Sequence, residues 1–440
     1  MISVFVNLTD AWQYWDKKSI VVKLKADKMP SSIQKYKIEP LRLKNAYLIY
    51  LNNSDINKAK QLVQALNIDS TVQYVEPNIL YKLQYEPNDP LYDELWGLYV
   101  MYLNYAWNIT KGNSSIKVCV VDTGIDIYHE DLSNNFIEGY DEVNNDNDIA
   151  PPSASEDHGT HVAGTILAVM DNNKGIVGVA PNTKLLGCRA LTNEGGTSAD
   201  IANCIMWCIN KGSKVINMSL GSPSPSQVIK EAIDSAYKKN IISVAAAGND
   251  GSYGIRYPAA YDNVIAVGAL DKTGEKASFS NYGPEIDFIA PGVDILSPVP
   301  YYNQYAKLQG TSMAAPHVAG AVALILSINP NLSFNDIYNI LAKSSIDIGP
   351  SGKDDKYGYG LIHVQRALLN TPQPTFTNLE LDKIKINISK NKVIIESSKD
   401  FEIYSSDGRK IFNGSKFEGI LNSGFYFVKQ GRYYKRFIVF

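Results

Sequence analysis

Between residues 116 and 270 the chain alternates short, continuously apolar runs with segments of helical period. IKVCVVD, KLLGCRAL, KVINMSL, IISVAAAG and NVIAVGAL read as strands, with HGTHVAGTILAVM, SADIANCIMWCINKG and PSQVIKEAIDSAYKKN falling between them as helices. A strand apolar at every position leaves no face for water, so both of its faces must be covered. Helices threaded between such strands supply the cover, and also the long crossover that a parallel pair requires. The pattern predicts an α/β unit, a mostly parallel sheet between helical layers. Ligands of such sheets gather at the strands' carboxyl ends. Three polar residues fall there: Asp122 after IKVCVV, Ser219 after KVINM and Asn249 after IISVAAAG. The helix-like LIHVQRALLN closes the unit near residue 370.

Smaller units flank it, as a length of 440 residues allows. SIVVKLKA, NAYLIYLN and VQYVEPNILYKLQ read as strands and INKAKQLVQALNI as a helix, a small α+β domain within residues 1–84. Pro87 and Pro90 make YEPNDP an extended entry to the large unit, residues 85–370. TPQPTFTN, residues 371–378, is a linker. Beyond it KIKINIS, KVIIESS, FEIYSSDGRKIF, GFYFVKQ and YKRFIVF, with turn signals at Asp407-Gly408 and Gln430-Gly431, predict a small all-β domain, a sandwich, at residues 379–440.

Composition excludes several function classes. A net charge of -3, from 42 basic and 45 acidic residues, offers no basic face for nucleic acid. The longest apolar run, residues 318–328, falls short of the ~20 residues of a membrane helix. The opening MISVFVNLTDAWQYWDKK lacks the basic start, apolar core and small-residue cleavage site of a signal peptide, which leaves a cytoplasmic chain or one whose signal was removed. Cys119, Cys188, Cys204 and Cys208 lie inside apolar segments rather than in spaced loop pairs. They are expected to be small buried hydrophobes, Cys204 and Cys208 on one helix face, with neither a disulfide framework nor a zinc site.

Four residues together suggest covalent chemistry. A serine nucleophile needs a base for its proton, an acid to orient that base, and donors for the developing oxyanion. Asp122 ends a strand in VVDTGID, His158 stands in EDHGTHVAGT, Asn249 ends AAAGN, and Ser312 lies in GTSMAAPHVAG at the mouth of an apolar helix. Singly they read as a turn residue, a helix-terminal histidine, a loop amide and an N-cap. In the chain order Asp, His, Asn, Ser they read as one set.

These motifs, with NMSLGS at Ser219 and YPAAYDNVIAVGA from Tyr257, closely resemble the subtilisin-like serine proteases across residues 85–370. Within the family, the loop spacing and the YEPNDP start resemble its thermitase branch. The resemblance implies a subtilisin-like three-layer α/β/α fold and a serine endopeptidase acting on polypeptides. It also implies roles: Ser312 as nucleophile, His158 as proton shuttle, Asp122 as its orienter, and the Asn249 amide with the Ser312 N–H as oxyanion hole. His161 and His317 are structural in the family pattern. Pro316 is placed in the first turn of the Ser312 helix, where a missing N–H costs little.

Further implications concern the groove and metal. Ser219, Leu220 and Gly221 match the groove edge that pairs with substrate backbone, and Ala246, Ala247 and Gly248 one wall of the primary specificity pocket. Arg256 stands where the family places the pocket's base, often a small residue. Either its guanidinium pairs with an acidic or polar substrate side chain, or the long side chain turns to solvent. Calcium takes about six to eight oxygens, and Asp89, Asp131 and Asn172 with the carbonyls of Val169, Lys174 and Ile176 match a strong calcium site. Asp141, Asn144, Asp146 and Asp148 either bind a second ion or form a solvated turn.

Residues 1–84 resemble a subtilase propeptide, an intramolecular chaperone and inhibitor whose YKLQ segment lies in the groove until cleavage near Tyr85. Residues 379–440 resemble weakly the sorting domains of type IX secretion, with a plain accessory domain as the alternative. Both flanks favour export over a cytoplasmic location. No nucleic-acid or membrane partner is expected, and the protein is expected to be a monomer.

Overall fold

The computed structural model describes residues 15–26, 28–51, 55–79, 86–374, 385–389, 392–405, 410–420, 424–430 and 433–439. The YKLQ segment and the turns at Asp407-Gly408 and Gly431 lie outside the described residues.

The first unit carries strands β1 (Trp15–Leu24), β2 (Lys37–Pro40), β3 (Ala46–Tyr50) and β4 (Val72–Ile79), in the antiparallel order β2-β3-β1-β4. Helix α1 (Ile56–Asn67) starts at Asp55, whose carboxylate accepts from the N–H groups of Asn57 and Lys58. Its Ala59, Val63 and Leu66 join Ile20, Val22 and Ile49 in a small core of the unit's own.

The large unit is built on a seven-stranded sheet in the order β11-β10-β9-β8-β5-β7-β6, every described pair parallel. Its strands are β5 (Lys117–Asp122), β6 (Phe136–Asp141), β7 (Lys184–Arg189), β8 (Val215–Met218), β9 (Ile242–Ala246), β10 (Val264–Leu270) and β11 (Phe288–Pro291). On one face lie α2 (His158–Leu167) and the buried α5 (Thr311–Ile328); on the other lie α3 (Ser198–Asn210) and α4 (Gln227–Lys238). Periodicity did not reveal β6, because this edge strand exposes Ile137 and Glu138 in succession and carries no continuous apolar run. The apolar 18-residue α5 matches a membrane span in length and composition, yet 83% of it is buried inside the protein, as a core helix requires.

Two expectations are corrected here. The four cysteines are buried in apolar segments, and Cys204 and Cys208 do share one face of α3. That face lies on β5 and β7, however, and brings Cys208 to Cys119 and Cys204 to Cys188, with Cα separations of 5.9 and 5.5 Å, as two disulfides. Linear spacing could not show which strand positions the helix would cover. Pro316 lies in the second turn of α5 rather than its first, so its missing N–H withholds the bond that the Ser312 carbonyl would otherwise accept. A side chain from β8's end takes that place, as described below.

After α6 (Phe334–Ser344) and α7 (Val364–Asn370), the C-terminal unit is all-β. Its strands β12 (Lys385–Ser389), β13 (Lys392–Ser405), β14 (Lys410–Ile420), β15 (Gly424–Gln430) and β16 (Tyr433–Val439) form one five-stranded antiparallel sheet among the described residues. The two sheets of a sandwich are not described.

Candidate active site

Asp122 is the last residue of β5 and almost fully buried. Its Oδ1 accepts from the Thr123 N–H at 2.8 Å and from His158 Nδ1–H at 2.7 Å. His158 opens α2, and Gly159 makes the approach possible: a Cβ there would stand 2.2 Å from the Gly124 carbonyl oxygen. Burial opposes protonation of the imidazole. The Asp122 carboxylate, by charge and hydrogen bond, and the Asp157 charge outweigh it and hold His158 above its ordinary value.

Ser312 is the second residue of α5. Its hydroxyl donates to the Ser219 carbonyl at 3.2 Å, while the Ser219 hydroxyl donates to the Ser312 carbonyl at 2.8 Å, the acceptor that Pro316 leaves free. Asn217, at the buried end of β8, donates its amide to Ser219 Oγ at 3.0 Å. Asn249 is aimed by Thr311, whose N–H and hydroxyl both donate to its Oδ1, at 2.8 and 2.9 Å. Its Nδ2 therefore faces away from Thr311. A methyl built on Gly310 would lie 3.4 Å from that nitrogen and 3.5 Å from the Ser312 nitrogen, so two N–H donors border one small space. An alkoxide fits such a space better than a neutral carbonyl does.

Two hollows that share Leu220 and Gly221 in their walls run along this edge. One, of about 500 Å³, passes His158 between Leu191–Gly196 and Ser219–Ser222. The other, of about 250 Å³, lies against Ser312 and is lined by Leu220, Gly221, Ala246, Gly248, Asn249, Asp250 and Arg256 among others. Ala247 is corrected: alternation along the chain turns it into the core on the other face, fully buried. Arg256 faces the hollow rather than open solvent. Its Nε donates to Asp250 Oδ2 at 2.7 Å, and its stem runs beside Gly221 and Gly248. Asp250 escaped the sequence reading, although its charge opposite Arg256 within one loop was a usable signal. His161 and His317 are buried and neutral: burial lowers them to about 3 and about 4, and each donates to a main-chain carbonyl, of Ile295 and Met313 respectively.

Of the expected calcium ligands, the side chains of Asp89, Asp131 and Asn172 come together. Asp89 and Asp131 are both buried, and Asp131 accepts from the Asn172 amide at 2.6 Å, the Ile176 N–H at 2.9 Å and the Tyr305 hydroxyl at 2.8 Å. Asp89 accepts from the N–H groups of Asp171 and Asn172 in the same loop. Val169 donates its N–H to the Asp131 carbonyl, and Lys174 turns its ammonium away to Glu130. Burial pushes Asp89 up to about 6, with the Asp131 and Asp171 charges adding to the effect, and burial raises Asp131 also. Two buried carboxylates meeting in one loop pocket are oxygen donors of the kind a hard divalent cation takes. Tyr305 was not foreseen. The second acidic loop does not fit: Asp141 is fully buried and accepts from Arg189 Nη1–H on Oδ2 at 2.8 Å, while Asp146 and Asp148 close local turns.

Residues 113–360 match the model of the subtilase family. A thermophilic serine proteinase of Bacillus sp. (strain AK1) is 44% identical over 305 residues, 69% of this chain and 75% of that protein. Subtilisin DY of Bacillus licheniformis is 46% identical over 263 residues, 58% of this chain and 91% of that protein. A solved protease structure from Pseudoalteromonas arctica superposes with a TM-score of 0.61 at 33% identity, covering 66% of this chain and 100% of that one.

Proposed function

The chain belongs to the subtilase family of serine endopeptidases, and we propose that it cuts polypeptides through an Asp122–His158–Ser312 triad and an acyl-enzyme. The observation that carries this reading is the 2.7 Å bond from His158 Nδ1–H to Asp122, which leaves Nε2 as the basic nitrogen. Ser312 Oγ attacks the scissile carbonyl as His158 Nε2 takes its proton. Asn249 Nδ2 and the Ser312 N–H receive the oxyanion, aided by the positive end of α5. The proton passes to the leaving amine, and water then releases the acyl group by the same steps. Leu220 and Gly221, on the groove edge, hold substrate backbone as an added strand.

Arg256 and Asp250 set the preference for the residue before the scissile bond. Nε is taken by Asp250, and the outer nitrogens of the guanidinium suit the planar acceptors of glutamate and glutamine. Asp89, Asp131, Asn172 and the carbonyls of Val169, Lys174 and Ile176 hold a calcium ion whose charge relieves two buried carboxylates. Residues 1–84 act as a removable chaperone and inhibitor for a sheet whose long-range parallel pairing is slow to form. Export suits the disulfides, with residues 379–440 as an accessory or sorting domain.

The test is labelling of the full chain by a fluorophosphonate, with casein digestion alongside. Wild type is expected to label and digest, and Ser312→Ala to do neither. Asn249→Ala is expected to lose about 10²- to 10³-fold in turnover, the figure known for the equivalent subtilisin residue rather than one derived from this structure. Unlabelled wild-type protein would sink the reading.

A further inference from the structure

Beside the catalytic pair lies a buried cation that no step above uses. Arg189 ends β7, opposite Asp122 on β5 and opposite Asp141 on β6. Its side chain is only 5% exposed. The guanidinium spends all three nitrogens on different segments: Nε donates to the Thr123 carbonyl at 3.1 Å, Nη1 to Asp141 Oδ2 at 2.8 Å and Nη2 to Glu156 Oε2 at 3.1 Å. Thr123 directly follows the catalytic aspartate, and Glu156 stands two residues before the catalytic histidine.

Burying such a cluster is a poor way to gain stability. Desolvation of three charges offsets most of their attraction, and apolar side chains of equal volume commonly do as well or better. A planar fork does something that apolar packing cannot, since it fixes three acceptors at set angles to one another. Two of the three acceptors lie on the segments that carry Asp122 and His158, segments also joined by the His158–Asp122 bond, by Gly159 N–H to Thr123 Oγ1 at 3.1 Å and by Asp126 N–H to Thr160 Oγ1 at 3.0 Å, while the third, Asp141, anchors the fork to β6.

We propose that Arg189 is a positioning residue, tying the Asp122–Thr123 segment to the Glu156–His158 segment so that carboxylate and imidazole stay aligned for proton transfer. The proposal rests on the triad reading. It acts through geometry at the dyad and leaves the groove edge at Ser219–Gly221, on a different strand end, in place. Its effect therefore falls on turnover rather than on substrate affinity. Lysine keeps the charge but presents one ammonium, which cannot reach three acceptors in fixed directions.

The experiment compares full-length wild type with Arg189→Lys and Glu156→Ala. The readouts are kcat and KM on one peptide, the rate of fluorophosphonate labelling, the low-field proton resonance of His158 Nδ1–H, and thermal melting. Arg189→Lys is expected to fall about 10- to 100-fold in kcat and in labelling rate, the range for a misplacement near 1 Å, with KM little changed and the resonance displaced. If Arg189→Lys does not fold, Glu156→Ala decides, since it removes one arm and leaves Arg189 paired with Asp141. It is expected to lower kcat severalfold and move the same resonance. Wild-type kcat with an unmoved resonance, in whichever folded variant is read, overturns the proposal while the triad stands. Wild-type protein that fails to label overturns the triad and this proposal with it.

Discussion

Ser219 and Ser312 hold each other by two hydrogen bonds of opposite direction: Ser312 Oγ donates to the Ser219 carbonyl, and Ser219 Oγ donates to the Ser312 carbonyl. The second bond exists because Pro316, one helical turn on, has no N–H to offer that carbonyl. The end of β8 is thereby fastened to the helix that presents the nucleophile. The 3.2 Å donor bond of Ser312 Oγ is long for a hydroxyl, so the hydroxyl is loosely held and free to turn to His158 when substrate binds.

Ser219→Ala leaves the half-buried Ser312 carbonyl without that partner. The expected loss is about 1–3 kcal/mol in denaturant unfolding, accompanied by a fall in kcat. Unchanged stability and unchanged kcat together would contradict the fastening role.

Activity requires neutral His158, and its pKa lies above the ordinary value of 6.5. Protonation therefore persists to higher pH than for an ordinary histidine, and kcat/KM should be lost as pH falls through a value above 6.5. Asp157→Asn removes one of the raising charges, so the acid limb should move down in a pH profile. An upward shift would contradict the stated cause.

Chelation is expected to lower the melting temperature and speed autolysis. A ligand at a thousandfold excess over its Kd contributes about 4 kcal/mol. Melting of Asp89→Ala should be indifferent to chelator, and equal responses in wild type and variant would move the metal elsewhere.

The disulfides close loops of unequal span, 89 residues for Cys119–Cys208 and 16 for Cys188–Cys204. Chain entropy gives about 4 to 5 kcal/mol for the longer and about 3 for the shorter. Paired alanine variants should melt in that order. All four sulfurs are buried, so reductant should act only where the protein unfolds.

Peptides that differ only in the residue before the cut test the hollow at Ser312. Arg256→Gly should lower the ratio of kcat/KM for glutamate over leucine by about tenfold, as a charge-assisted hydrogen bond is lost. Asp250→Asn should raise it. A ratio unmoved by either change would leave Arg256 without a part in selection.

Much of the fold was legible because burial writes a local pattern. Strands covered on both faces are apolar throughout, and β5, β7, β8, β9 and β10 stood out on that ground. The edge strand β6 faces water at several positions, and its FIEGYD carries no such signal. Asp122, His158, Asn249 and Ser312 were legible as a set because each sits at an element's end inside a long motif.

What the sequence by itself determined was which residue types stand at which element ends, and from that the parallel sheet, its catalytic edge and the chemistry available there. Tertiary structure alone decided the pairings across elements. The face of α3 found the cysteines of β5 and β7, and Asp250 reached Arg256. Arg189 crossed to Glu156, and Asp141, read as a metal ligand or a turn, became its counter-ion. The reason is physical: periodicity reports how exposed each residue is, whereas a salt bridge or a disulfide depends on the register of segments distant in sequence. That register is set only when the helices and strands pack.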